Sequence, residues 1–324
     1  MRIVIIIQRY SGRTDRAFLR PEMLGIVIVA YRNPELTADY ILNQLPKLVN
    51  HYVVVVVNNA STMQECKELA ARVGGVACEA GDFPEESSVY ILNSDSNLGF
   101  AKGNNLGAEF IRRVAPCEHL LFSNNDIILQ QKTDLGLLTD LLDKDSSIGA
   151  VGPAVVGLDG HHQSPHRRVV TAYRQIGWIL LSRLRKKRKQ ESESTIALPT
   201  PLEGFCYWVS GCFLIMRADV FEKVGGFDPD TFLYSEEPIL AERLKAIGRK
   251  MYYCPAVCVT HMEGGTTKET FNKPHIKRLL VESNCIYYRK YLHTPRPVVA
   301  MYKLLNTRRD ARLVRPEDNH SKSV

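Results

Sequence analysis

A few short stretches of this 324-residue chain combine residue types that can do chemistry. "LLFSNNDIIL" (120–129) sets Ser123, Asn124, Asn125 and Asp126 between two apolar runs. A buried strand has little use for a carboxylate, since an unpaired buried charge is costly. A tight turn has no need of such hydrophobic flanks. Asp126 either caps a turn, as Asp often does, or binds something, and carboxylate oxygens suit Mg²⁺ and Mn²⁺. A second acidic pair, Glu236-Glu237, stands just before Pro238 and a helical run. A helix N-terminus favours ionised carboxylates, the resting state of a general base; both glutamates can also simply complement the dipole. Thirdly, His261 is followed by Gly264, Gly265, Thr266 and Thr267. Such small residues let a backbone approach an anion and offer it amides.

The elements that must carry these residues alternate. "GIVIVAY" (25–31), "YVVVVVNNAST" (52–62), "SVYILNS" (88–94) and "HLLFSNND" (119–126) read as apolar strands. Between them lie helical patterns: 33–48, with Leu36, Tyr40, Ile41 and Leu45 in register; 63–75, stopped by glycines; and 99–114. Strands apolar on both faces, alternating with helices, predict an α/β fold with a parallel sheet covered by helices. Ligands bind such sheets at the carboxyl ends of the strands. The polar clusters Asn58-Asn59-Ala60-Ser61, Asp95-Ser96-Asn97 and Asn124-Asn125-Asp126 fall there.

The second half differs. Residues 158–201, with "HHQSPHRR" and "RLRKKRKQESES", form a basic excursion with little sustained period. Order returns over 202–292, with a helix expected at 238–247 opening on Pro238 and a last helix near 275–290. Residues 1–23 read as an extension of uncertain structure, 24–157 as the first half of the fold, and 293–324 as a C-terminal tail, frayed and polar from 308.

Composition is ordinary, at 45% apolar and 24% charged, and the net charge of +7 suits an anionic partner. Eight cysteines without a C-x-x-C pair read as reduced thiols of a cytoplasmic protein. The longest apolar runs fall far short of the roughly 20 residues that span a bilayer. Dinucleotide and P-loop glycine motifs are absent, and the basic residues lack the interleaved aromatics of a nucleic-acid binder.

Five segments occur in order: "NLGFAKGNNLG" (97–107), "LLFSNND" (120–126), "SGCFLIMRADVFEKVGGFD" (210–228), "FLYSEEPILAERLKAIG" (232–248) and "VTHMEGGTT" (259–267). The set resembles the bacterial inverting glycosyltransferases of the GT-A fold, family 2 type, in their rhamnosyltransferase-like branch, over roughly residues 24 to 290. The resemblance implies a nucleotide-sugar donor (UDP or dTDP), a divalent Mn²⁺ or Mg²⁺, a saccharide acceptor that is lipid-linked, and a single displacement at the anomeric carbon.

The resemblance also implies residue roles. Asp126 and His261 would hold the metal, with Asn124-Asn125-Asp126 in the place of an Asp-x-Asp motif. Glu237 would be the base, in the position where the family has Asp, with Glu236 its rival. Gly264, Gly265 and Thr266 would meet the diphosphate. Tyr31, Asn33, Asn58, Asn59, Asp95, Asn97, Gly99, Phe100, Lys102, Asn104, Asn124, Asn125 and Gly211 would bind the nucleotide-sugar. Asn58 replaces the family's base-binding Asp. These departures leave open an inactive sugar-nucleotide or glycan-binding protein of the same fold. The basic run "RLRKKRKQ" (183–190) and "IGWILL" (176–181) suggest peripheral contact with an anionic membrane at its cytoplasmic face, the bland reading being a solvated loop and a core segment.

Overall fold

A computed structural model describes residues 23–184, 201–262 and 273–311. The expected extension (1–22), most of the basic run (185–200) and Gly264, Gly265 and Thr266 lie outside the described residues.

Four parallel strands open the sheet: β1 (Met23–Tyr31), β2 (His51–Asn59), β4 (Val89–Ser94) and β5 (His119–Ser123), with the short β3 (Val76–Cys78) at the edge. Beyond β5 come β9 (Phe213–Arg217), β7 (Ile148–Gly157) and β10 (Lys250–His261), then β6 (Ile127–Ile128); β8 (Gly204–Cys206) also pairs with β10. β9 runs antiparallel to both its neighbours, so the sheet is mostly parallel. Its β-branched runs are long because both faces are covered. Ile26 and Ile28 of β1 and Val54 and Val56 of β2 enter one core, while Val27, Val53, Val55 and Val57 enter the other. Each such side chain contributes roughly 1.5–3 kcal/mol when fully buried.

The helices on these faces follow their sequence signals. α1 (Pro34–Asp39) is capped by Asn33, whose Oδ1 accepts from the Leu36 amide, and continues as a π turn, Tyr40–Gln44. α2 (Met63–Val73) begins with a Thr62–Glu65 capping box and stops at Gly74, whose φ of 71° suits glycine. α3 (Gly99–Val114) lies on β1 and β2, α4 (Gly136–Lys144) on β7, and α6 (Ala218–Lys223) follows β9.

Three expectations are corrected. α7 spans Glu236–Ala246, so it opens two residues before Pro238 and takes both glutamates into its first turn. Proline is tolerated there because the first amides of a helix have no intrahelical acceptor. The excursion contains α5 (Ala172–Leu184), and the expected tail contains α9 (Arg296–Ala311). Ala172, Ile176, Val299 and Tyr302 of these helices share a third core with Ile239 of α7 and Val281 of α8 (Lys273–Ile286). Long-range packing, which a weak local period does not reveal, supports both helices.

Candidate active site

The cavity at the carboxyl ends of β1, β2 and β5 holds about 910 Å³ and is bounded on its far side by α7 and α8. Strand pairing delivers its first chemical group. β10 returns antiparallel to β6, with His261 opposite Ile127, and the Met262 amide donates to the Asp126 carbonyl at 3.1 Å. His261 Nε2 thus stands 3.2 Å from Asp126 Oδ1, although 135 residues separate them in sequence. Gln163 Oε1 lies 2.6 Å from His261 Nδ1 and orients the ring. Burial alone would lower the His261 pKa, but the carboxylate of Asp126 and the nearby Cys212 hold its charged form and raise it to about 10.

These residues fit a divalent cation. Asp126 is buried and its Oδ1 has no aligned hydrogen-bond donor. A carboxylate and an imidazole are borderline-hard ligands suited to Mn²⁺, and two protein ligands leave positions for phosphate and water. No group of three or more acidic, His or Cys ligands occurs among the described residues, so the protein would supply only part of the coordination shell.

The second group is the glutamate pair. Glu237 Oε1 accepts a hydrogen bond from the Gly211 amide at 3.0 Å. Glu236 is buried, and its Oε1 has no hydrogen-bond partner. Burial raises both carboxyl pKa values, and the neighbouring Glu237 charge pushes Glu236 further, well above the usual range. Glu236 is thus the more strongly perturbed of the pair, while the Gly211 amide favours the ionised form of Glu237. The two residues before it, Tyr234 (φ 75°) and Ser235 (φ 67°), are both left-handed. That conformation costs roughly 1–3 kcal/mol per non-glycine residue and persists where the surroundings over-determine it. Here the Phe100 amide donates to the Phe232 carbonyl at 2.8 Å, Ser283 Oγ to the Leu233 carbonyl at 2.8 Å, and Ser235 Oγ to Asn284 Oδ1 at 3.0 Å.

The cavity gathers many of the expected residues. Asn124, Asp126, His261, Glu236 and Glu237 line it, as do Tyr31, Asn97 and Phe100. Three others border it as braces. Asn59 donates to the Gly99 carbonyl (3.4 Å), Asn125 donates to Thr37 Oγ1 (2.9 Å), and Gly211 seats Glu237. Gly99 borders it too, and its absent Cβ would lie 2.2 Å from the Phe232 carbonyl oxygen.

Five expected residues do not line the cavity. Asn58 is buried, with its amide on Cys66 Sγ at 3.6 Å. Alternation along β2 turns it away from the neighbouring Asn59. Asn33 caps α1, Asn104 donates to the Phe100 carbonyl, Asp95 accepts from Asn93, and Lys102 is exposed.

Sequence reasoning missed the far wall: Gln163, His166, Tyr207 and Trp208, with Asn284 and Tyr287 of the α8 region. The His166 and Trp208 rings stack with centroids 3.5 Å apart, and Tyr207 donates to Glu242 Oε1 at 2.7 Å. Gln163 and His166 lie in the "HHQSPHRR" stretch, which reads as a solvated loop, and aromatic density near 207 was the other signal.

The sheet thus brings an acid–histidine pair and a carboxylate at a helix start to one cavity. Residues 21–278 match the family described as glycosyltransferase like family 2, and the chain belongs to that family. It is 26% identical over 259 residues to rhamnosyltransferase WbbL of Escherichia coli K12, covering 78% of this chain and 88% of that one. It is 29% identical over 135 residues to the N-acetylglucosaminyl-diphospho-decaprenol L-rhamnosyltransferase of Mycobacterium tuberculosis, 41% of this chain and 44% of that one. Among solved structures it resembles GalNAc-T7 with UDP, GalNAc and Mn²⁺: TM-score 0.53, 14% identity, 89% of this chain and 55% of that one. It also resembles the mannosyltransferase PcManGT of Pyrobaculum calidifontis in complex with GDP-Man and Mn²⁺, with TM-score 0.50, 13% identity, 88% of this chain and 70% of that one. These likenesses identify a glycosyltransferase of GT-A fold.

Proposed function

We propose that this glycosyltransferase moves a hexosyl or rhamnosyl group from a UDP- or dTDP-sugar to a lipid-linked saccharide, with inversion, at the cytoplasmic face of the membrane. The observation that carries the reading is that Asp126, His261 and Glu237 line one cavity. Glu237 takes the proton of the acceptor hydroxyl. The hydroxyl oxygen forms its bond to the anomeric carbon as the bond from that carbon to the donor diphosphate breaks, releasing the nucleoside diphosphate. Gly211 holds the Glu237 carboxylate in place through its amide, which positions the base before substrate arrives. Asp126 and His261 would hold Mn²⁺ or Mg²⁺, which when bound neutralises charge on the leaving diphosphate. Gly264, Gly265 and Thr266 are proposed to contact that diphosphate through backbone amides. The lipid-linked acceptor is supported by the name of the mycobacterial relative.

The test is release of UDP or dTDP from a panel of nucleotide sugars, with and without Mn²⁺, and the anomeric configuration of the product by NMR. Metal-dependent release with an inverted product is expected. Binding of nucleotide-sugar without turnover on any acceptor would instead make the chain a binding protein, and a retained configuration would exclude single displacement.

A further inference from the structure

We propose that the outer face of the α5–α9 pair, with the cationic groove between α8 and α9, is a docking surface for an anionic lipid bilayer. This deepens the lipid-linked reading above and rests on it for its purpose, but its observations are separate.

The first is an unusual helix face. α5 buries Ala172, Ile176 and Ile179, yet its opposite side is also apolar: Tyr173, Trp178, Leu180 and Leu181 are 58, 51, 43 and 54% exposed. A helix with only water outside puts polar residues there. α9 packs on α5, buries Val299 and Tyr302, and exposes Met301 and Leu304. Single exposed apolar residues mean little, but six on two helices in contact are a patch that calls for a partner.

The second is charge. A groove of about 400 Å³ between α8 and α9 is lined by Lys277, Arg278 and Lys303, with Glu282 the one carboxylate lining it among the described residues. Arg174 lies over the Trp178 ring at 5.3 Å, which brings a further cation to the apolar face. Protein interfaces are depleted of lysine at their centres. Tryptophan and tyrosine beside clustered lysine and arginine instead match the headgroup level of an anionic membrane.

The third is the link to the site. One edge of α8 (Ile276, Leu280, Asn284) lines the active-site cavity, and the other (Lys277, Arg278, Val281) lines the groove. A bilayer on this surface would therefore lie beside the cavity, and a membrane-held acceptor would reach the site past α8. A free phosphate in the groove would leave the apolar face unexplained.

The experiment is cosedimentation of the full chain with phosphatidylcholine vesicles, with and without phosphatidylglycerol, over a range of salt. Binding to the anionic vesicles that weakens as salt rises is expected. Each basic residue at such a surface strengthens binding about fivefold, so K277Q/R278Q/K303Q should weaken it about a hundredfold and flatten its salt dependence. W178S/L181S should weaken it at least tenfold, with an unchanged melting temperature showing that the fold survives. Trp178→Phe should keep binding but abolish quenching by brominated lipid. Absent binding, equal binding to neutral vesicles, or unaltered binding by the folded variants would overturn the proposal. So would a dimer in light scattering that W178S/L181S dissolves, which would assign the face to a second copy. Sugar transfer to a short-chain, water-soluble acceptor is expected unchanged in all three variants. Transfer without vesicle binding defeats the docking surface alone; vesicle binding without transfer from any donor defeats the proposed function alone.

Discussion

Gly211 and Glu237 are 26 residues apart in sequence and meet in the active site: the glycine amide lies 3.0 Å from Glu237 Oε1, and a Cβ on the glycine would stand 2.9 Å from that same oxygen. Glycine is required less by its own backbone than by the carboxylate above it. Gly211→Ala pushes against the far end of a flexible side chain, so the fold should tolerate it within about 1 kcal/mol. Turnover should fall at least tenfold as the base moves. A melting curve and a nucleotide-release assay together check this; normal turnover would show that the contact does not place the base.

Glu237→Gln keeps the shape and the Gly211 contact while removing basicity. Turnover should drop by roughly 10²–10⁴ with donor affinity nearly unchanged. In the parent enzyme, the acid limb of the pH–rate profile should lie above the ordinary glutamate range, because burial raises this carboxyl and the base acts only when ionised. A comparable fall from Glu236→Gln, with Glu237→Gln harmless, would transfer the role to Glu236.

Glu236 makes a separate prediction about stability. Burial and its neighbour's charge raise its folded pKa. Its contribution is fully present below the unfolded value of about 4.3 and is lost as pH rises through the folded value. Glu236→Gln should therefore flatten the decline of melting temperature as pH rises above about 4.3. An unaltered profile would show that Glu236 does not drive it.

Asp126→Ala should abolish Mn²⁺-dependent binding of UDP or dTDP in a folded protein, as read by calorimetry. Asp126 favours the charged form of His261, raising its pKa to about 10, so a divalent cation would have to displace a proton from the ring. Metal-dependent nucleotide binding should accordingly release about one proton, measured in buffers of different ionisation enthalpy. Undiminished metal-dependent affinity in the variant, or no proton release, would count against this ligand pair.

Gly99→Ala should be the most damaging glycine change near the site. Its φ of 72° disfavours any side chain, and the new Cβ would collide with the Phe232 carbonyl at 2.2 Å, a backbone atom that cannot swing aside. A loss of more than about 2 kcal/mol in denaturant titration is expected, with activity lost because this contact holds the loop leading to Glu236 and Glu237. Retention of both would mean that α3 and the loop are not coupled.

Local pattern determined the first half of this protein. Continuous β-branched runs require two covered faces, so β1, β2, β4 and β5 and their intervening helices were legible, and with them the polar strand ends where Asp126 sits. Asp126, Glu237 and His261 were legible as candidates through the motifs that carry the family resemblance, and all three line the cavity. Tertiary structure alone decided what those residues do to one another. The antiparallel return of β10 against β6 puts His261 on Asp126, and the turn before Cys212 puts Gly211 under Glu237. It also turned Asn58 into the protein, since strand alternation lets only one of two adjacent asparagines face the cavity. α5 and α9 escaped the sequence reading for the same physical reason. Each helix buries one stripe in the core they share with α7 and α8, and leaves apolar residues outside as well, so neither shows the clean amphipathic period that marks a helix covering a single core.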